Sequence, residues 1–178
     1  LAGALVSISL NAALFSLIEP AQVWIRKRSD LARLLERNAD PLAMLPDEVD
    51  HRYLTNQVVL VGYGETGRRI AQNLAQLGIK YVVAEQNREI VEDLRQQGIP
   101  AVSGDGSEPA VLIQAHIARA GTLVVATRDD VLEARRMAEI ARALNPSIQI
   151  VLCAKTADQA ERLESEQIGK VFMSKQAL

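Results

Sequence analysis

The chain has 178 residues, room for one ordinary domain and an appendage, so a single main core is expected. Its 20 Lys and Arg nearly balance 22 Asp and Glu, and aromatic residues are only 3% of the chain; both features argue against a nucleic-acid partner. The lone Cys153, within the apolar run IQIVLCA, excludes an internal disulfide and reads as a small buried hydrophobe, while His51 and His116 lack metal-ligand spacing, so no metal site is expected.

The chain opens on LAGALVSISLNAALFSLI, Leu1 to Ile18, which carries no charge and is closed by Glu19-Pro20 and the basic cluster Arg26, Lys27, Arg28. A helix over that stretch would be roughly 27 Å long, slightly short of a hydrocarbon core of about 30 Å, and it begins at the first residue as if cut from a longer membrane domain. A signal peptide would carry its positive charge before the apolar run, not after it. A buried soluble helix is the other alternative, favoured by Asn11 and the small residues, although small residues also serve helix contacts in membranes. The expectation is the last transmembrane helix of a membrane domain with its basic flank over residues 1–28, which places the rest of the chain on the cytoplasmic side.

Residues 29–55 read as a linker. Leu31, Leu34 and Leu35 recur at helical spacing within SDLARLLERN, and breakers follow up to Pro46. This short amphipathic helix could dock on a membrane, a partner subunit or the next domain.

From Gln57 the pattern turns regular. Apolar, β-branched runs, VVLVG, KYVVAE, IPAVSG, TLVVAT, IQIVLCA and KVFM, alternate with helical segments at about 65–77, 88–97, 108–115, 130–144 and 157–166. Strands apolar at successive positions are buried on both faces, as in a parallel sheet covered by helices on each side. The fold class is therefore α/β: a doubly wound, Rossmann-like parallel sheet over residues 56–178, preceded by the apolar transmembrane helix and the linker helix.

Gly62, Gly64 and Gly67 directly follow the first strand and open the first helix, the context a GxGxxG turn requires. The first glycine permits the tight turn, the second lets backbone approach a pyrophosphate, and the third lets helix pack on strand. The amides from Tyr63 through Glu65 to Thr66 should then face an anion. Glu85 closes the second strand, where a carboxylate can accept hydrogen bonds from both ribose hydroxyls and repel a 2′-phosphate. The strand ends at Asp105-Gly106 and Ala126-Thr127 fall on the same sheet edge and should wall the adenosine pocket; Asp105 has capping of the next helix as an equal alternative.

These landmarks, VGYGETGRRIA, Glu85, GDGSEP and VVATRDD in that order, resemble the TrkA-N or RCK domains attached to potassium channels and transporters. Together with the apolar segment and basic cluster upstream, the chain is similar to the C-terminal part of a Kef-type monovalent cation:proton antiporter. The resemblance implies antiport by an upstream membrane domain in a bacterial inner membrane, regulated by a cytoplasmic domain that binds AMP or NAD(H) and pairs as a homodimer. Carried over by position, Gly62, Tyr63, Gly64, Glu65, Thr66 and Gly67 would hold phosphate. Glu85 and Gln86 would hold ribose, with Asp105, Gly106, Ala126 and Thr127 around adenosine. Two positions depart from the commoner pattern: Glu85 stands where members often have Asp, and GDGS replaces GDAT.

The main rival is a nicotinamide-dependent oxidoreductase on the same fold. No Tyr-Lys, His-Asp or Cys-His arrangement stands near the strand ends to move protons, so a ligand-binding, non-enzymatic role is expected. A third alternative is an interaction domain whose phosphate turn is vestigial.

Overall fold

The computed structural model describes residues 41–46, 54–126 and 131–173. The expected membrane span, its basic flank, the helix at 29–38 and Thr127 lie outside the described residues. Among the described residues no helix is long and apolar enough to cross a membrane.

Six parallel strands form one sheet: β1 (Val58–Val61), β2 (Tyr81–Glu85), β3 (Ala101–Ser103), β4 (Thr122–Val125), β5 (Gln149–Ala154) and β6 (Lys170–Met173). Their order is β3-β2-β1-β4-β5-β6. The chain thus winds outward from β1 in one direction, returns to β4, and winds outward in the other. Val61 at the end of β1 is level with Ala84 of β2 and Val125 of β4, so the strand ends share one edge. The crevice that this reversal opens lies at the carboxyl ends of the strands.

Five helices connect the strands: α1 (Glu65–Gln76), α2 (Arg88–Gln96), α3 (Pro109–Gln114), α4 (Val131–Leu144) and α5 (Ala157–Ser165). Because strand side chains alternate between faces, each apolar strand feeds two cores. Val59, Val61, Val82, Leu123, Val125 and Leu152 pack with Val111 and Leu112 of α3, Met137 and Ala138 of α4 and Leu163 of α5. Leu60, Val83 and Val124 face the other way, toward Ala71 of α1 and Val91 and Leu94 of α2.

The third helix runs over Pro109–Gln114 between caps at Glu108 and Ala115; His116 then takes a left-handed conformation (φ 57°) before a single 3₁₀ turn at Ile117–Arg119. Two expectations are corrected. KVFM is not buried on both faces. It is the edge strand, and Phe172 and Met173 are 57% and 56% exposed. Cys153, opposite Phe172 in register, is half-buried for the same reason, and burial still pushes its thiol up to about 11.

Candidate functional site

The glycine turn is assembled by three different uses of a missing side chain. Gly62 has φ 91°, which turns the chain sharply out of β1. A Cβ on Gly67 would collide with the Gly62 carbonyl oxygen, so this glycine lets α1 press against the end of β1. A Cβ on Gly64 would meet nothing within 4 Å. Gly64 is also the N-cap of α1, and no side chain caps that helix. Open space in front of an uncapped helix N-terminus suits an anion, which the N–H groups and the helix dipole attract.

Glu85 stands across from the turn. Its carboxylate accepts the Tyr63 amide at 2.6 Å and the Asn87 amide at 2.9 Å. The acid therefore ties the glycine turn to the start of α2, a bridge that sequence spacing alone does not reveal. Asn87 in turn caps α2, its side-chain oxygen accepting from Glu89 at 3.0 Å. Beyond β3, Gly104 leaves the ladder with φ 149°. Asp105 accepts the Ser107 amide at 2.8 Å, so it holds the turn before α3 while also facing the cleft. A Cβ on Gly106 would strike Val61, so the backbone there lies directly against β1.

These elements enclose a cleft of about 530 Å³, within the range of small-molecule sites. Gly62, Gly64, Glu65, Thr66, Glu85, Gln86, Asp105, Gly106 and Ala126 all line it. Tyr63 and Gly67 do not. The Tyr63 amide is given to Glu85, and its ring packs with Tyr81 against the α1–α2 core. Burial first, and Tyr63 second, raise the Tyr81 hydroxyl above its usual value. Gly67 is buried in the helix–strand contact.

Asn87, Ile90, Glu133, Met137 and Lys155 also line the cleft. Lys155 directly follows β5, so the strand-end rule used for the other positions reaches it as well. Glu133 and Met137 lie four apart on α4 and face the cleft only because of how that helix is rotated on the sheet. Four carboxylates, those of Glu65, Glu85, Asp105 and Glu133, share the lining with one ammonium, Lys155. That balance disfavours ligands of high negative charge.

The strand order, the glycine turn and a crevice at the switch point define a Rossmann-like domain. The chain belongs to the TrkA-N domain family, whose pattern residues 58–174 match. It is 31% identical over 179 aligned residues, the whole of this chain, to YbaL of Escherichia coli (strain K12), described as a cation/proton antiporter. The chain spans 30% of the length of that relative. Among solved structures, the TrkA-N domain of the Escherichia coli inner membrane protein YbaL is 32% identical. The TM-score is 0.60, over 67% of this chain and 87% of that one. The Shewanella denitrificans Kef CTD in AMP-bound form shares the fold at 22% identity and a TM-score of 0.57, over 67% of this chain and 71% of that one.

Proposed function

We propose that this chain is the cytoplasmic regulatory domain of a monovalent cation:proton antiporter in a bacterial inner membrane, and that its cleft takes AMP or NAD(H). The carrying observation is the open space at Gly64, before an uncapped helix and opposite Glu85. Phosphate would sit on the first turn of α1 with ribose hydroxyls on Glu85 and Gln86. Adenosine would lie against Asp105, Gly106 and Ala126. Membership of the TrkA-N family and similarity to YbaL support the transporter context, residues 1–28 being the end of the membrane domain and 29–55 the linker. Pairing of the domains as a homodimer belongs to the same reading, which rests on family likeness and the prevalence of closed symmetry. The role is binding without turnover, a reading supported by membership of the TrkA-N family.

Ligand binding changes transport by favouring one conformation of the domain over another; a tenfold preference supplies about 1.4 kcal/mol. Calorimetry should give binding of AMP or NADH and weaker binding of NADPH, because Glu85 opposes a 2′-phosphate. Gly64→Val fills the phosphate space and should lower AMP affinity at least about tenfold, with a stability change of about 1 kcal/mol from the poorer N-cap. NADPH binding as tight as NADH, or unchanged affinity in folded Gly64→Val, would overturn the assignment.

A further inference from the structure

Strand β3 is an edge of the sheet. The Val83 amide donates to the Pro100 carbonyl at 2.9 Å and the Gly104 amide to the Glu85 carbonyl at 3.0 Å, so these groups face β2. The Ser103 amide points outward instead and donates to the Leu42 carbonyl at 2.6 Å. Residues 41–46 thus lie along the open edge. Arg95, in the last turn of α2, fastens them there. Its Nε donates to the Ala101 carbonyl at 2.9 Å, Nη1 to the Pro41 carbonyl at 2.9 Å, and Nη2 to the Leu42 carbonyl at 3.0 Å and to the Met44 carbonyl. One planar guanidinium fork therefore grips three carbonyls of the segment and one of β3, a geometry that lysine cannot reproduce. Leu42 packs against the α1–α2 core and Leu45 is buried, so the segment is seated by apolar contact as well.

The opposite end of α2 stands in the cleft. Asn87 caps the helix and gives its amide to Glu85, and both Asn87 and Ile90 line the cleft. At nine residues the helix is roughly 13 Å long, short enough to behave as one rod with the cleft at one end and the Arg95 grip at the other.

We infer that residues 41–46 form a strap whose docking is linked to nucleotide binding through α2, with Arg95 the positioning residue at the strap end. The inference rests on the nucleotide-binding reading above. A ligand held by Glu85 and the first turn of α1 restrains Asn87, and with it the start of α2. The restraint reaches Arg95 along the helix and holds the strap carbonyls in place. The linkage is reciprocal: whatever factor the ligand contributes to strap docking, release of the strap removes from ligand affinity. Residues 1–40 join the domain through this strap, so it is a covalent route by which the state of the cleft is passed to the preceding chain.

The Ser103 amide is a direct reporter, because its acceptor belongs to the strap. Hydrogen exchange at Ser103 is measured on the 178-residue chain with and without saturating AMP, with NADH as a second probe and calorimetry in parallel. Either ligand that binds should slow Ser103 exchange about fivefold or more, the low end of ordinary coupling. Arg95→Ala should abolish that slowing and weaken AMP binding by a similar factor, with Arg95→Lys falling between. AMP binding with heat release but an unchanged Ser103 rate would overturn the linkage, leaving Arg95 a cover for the sheet edge and the nucleotide reading intact. If neither AMP nor NADH binds, the nucleotide reading fails and the linkage with it. Should Arg95→Ala not fold, the wild-type exchange result and Arg95→Lys decide the question.

Discussion

The two faces of the sheet are covered unequally. Among the described residues, α3, α4, α5 and the 3₁₀ turn bury one face from β3 to β5, whereas α1 and α2 bury the other from β3 to β4 and leave it only partly covered at β5. Val151 and Cys153 of β5 are partly buried on that second face, and Phe172 of β6 is largely exposed. The same kind of sequence, an unbroken apolar run, thus lies in two environments. An apolar strand needs a helix over each face to be buried twice, and the helix count on each side, not the strand's own residues, decides whether it is.

The largest effect that would break the better-covered part of the second face is Gly67→Ala. The new methyl group would collide with the Gly62 carbonyl, which is backbone at a turn with φ 91° and has little freedom to retreat. Overpacking costs about 1–3 kcal/mol, and a clash with backbone that cannot retreat belongs at the top of that range, about 3 kcal/mol, as α1 is pushed away from β1. Urea denaturation should show an unfolding free energy lower by that amount, or no folded state. A stability loss under about 1 kcal/mol would mean that α1 is not closely seated on β1.

On the fully covered face the corresponding weak point is polar. Asn145 is 7% exposed, and its side-chain amide donates to the Ile117 carbonyl at 3.1 Å and the Ala120 carbonyl at 2.8 Å. Its Oδ1 accepts from the Ser147 hydroxyl at 2.9 Å. One side chain therefore joins the end of α4 to the 3₁₀ turn. Asn145→Ala leaves two inner carbonyls without that donor, for an expected loss of about 2 kcal/mol by thermal or urea unfolding. No measurable loss would show that water replaces the amide and that this face is less tightly sealed than the other.

Much of this architecture is legible in the sequence because period and punctuation agree. VVLV followed by GYGETG places a strand, a turn and a helix within ten residues, and the structure puts a β1 end, a positive-φ glycine and an α1 start there. Glu85 and Asp105 are legible as strand-end positions for the same reason. What stays hidden depends on groups distant in sequence. The Glu85 bridge to Tyr63 needs the turn to fold back over β2, and nothing in VGYGE announces that the Tyr63 amide points there. The Arg95 grip is equally silent, since an arginine in the last turn of a helix already has a local explanation in the helix dipole. The exposure of β6 is hidden because KVFM is as apolar as its neighbours, and its edge position comes only from the strand order.

At neutral pH the smallest expected effect on stability is that of Cys153, which reads the thinly covered part of the second face directly. Cys153 lies on β5 opposite Phe172, and burial pushes its thiol from 9.0 up to about 11. Between those values the folded chain holds a proton that the unfolded chain has lost, so stability should fall as pH rises through that window and be unaffected by this group below it. Thiolate is the reactive form, so at pH 8 the folded thiol should react with iodoacetamide far more slowly than the same thiol in urea, up to roughly a hundredfold. The rate should climb steeply as pH approaches 11. A folded-state rate within about threefold of the unfolded one at pH 8 would mean that this face is fully open to water and the desolvation absent. Complete inertness up to pH 11, with reaction appearing only on unfolding, would mean that further structure covers β5 and β6. The unequal coverage of the two faces would then belong to the described residues and not to the folded protein.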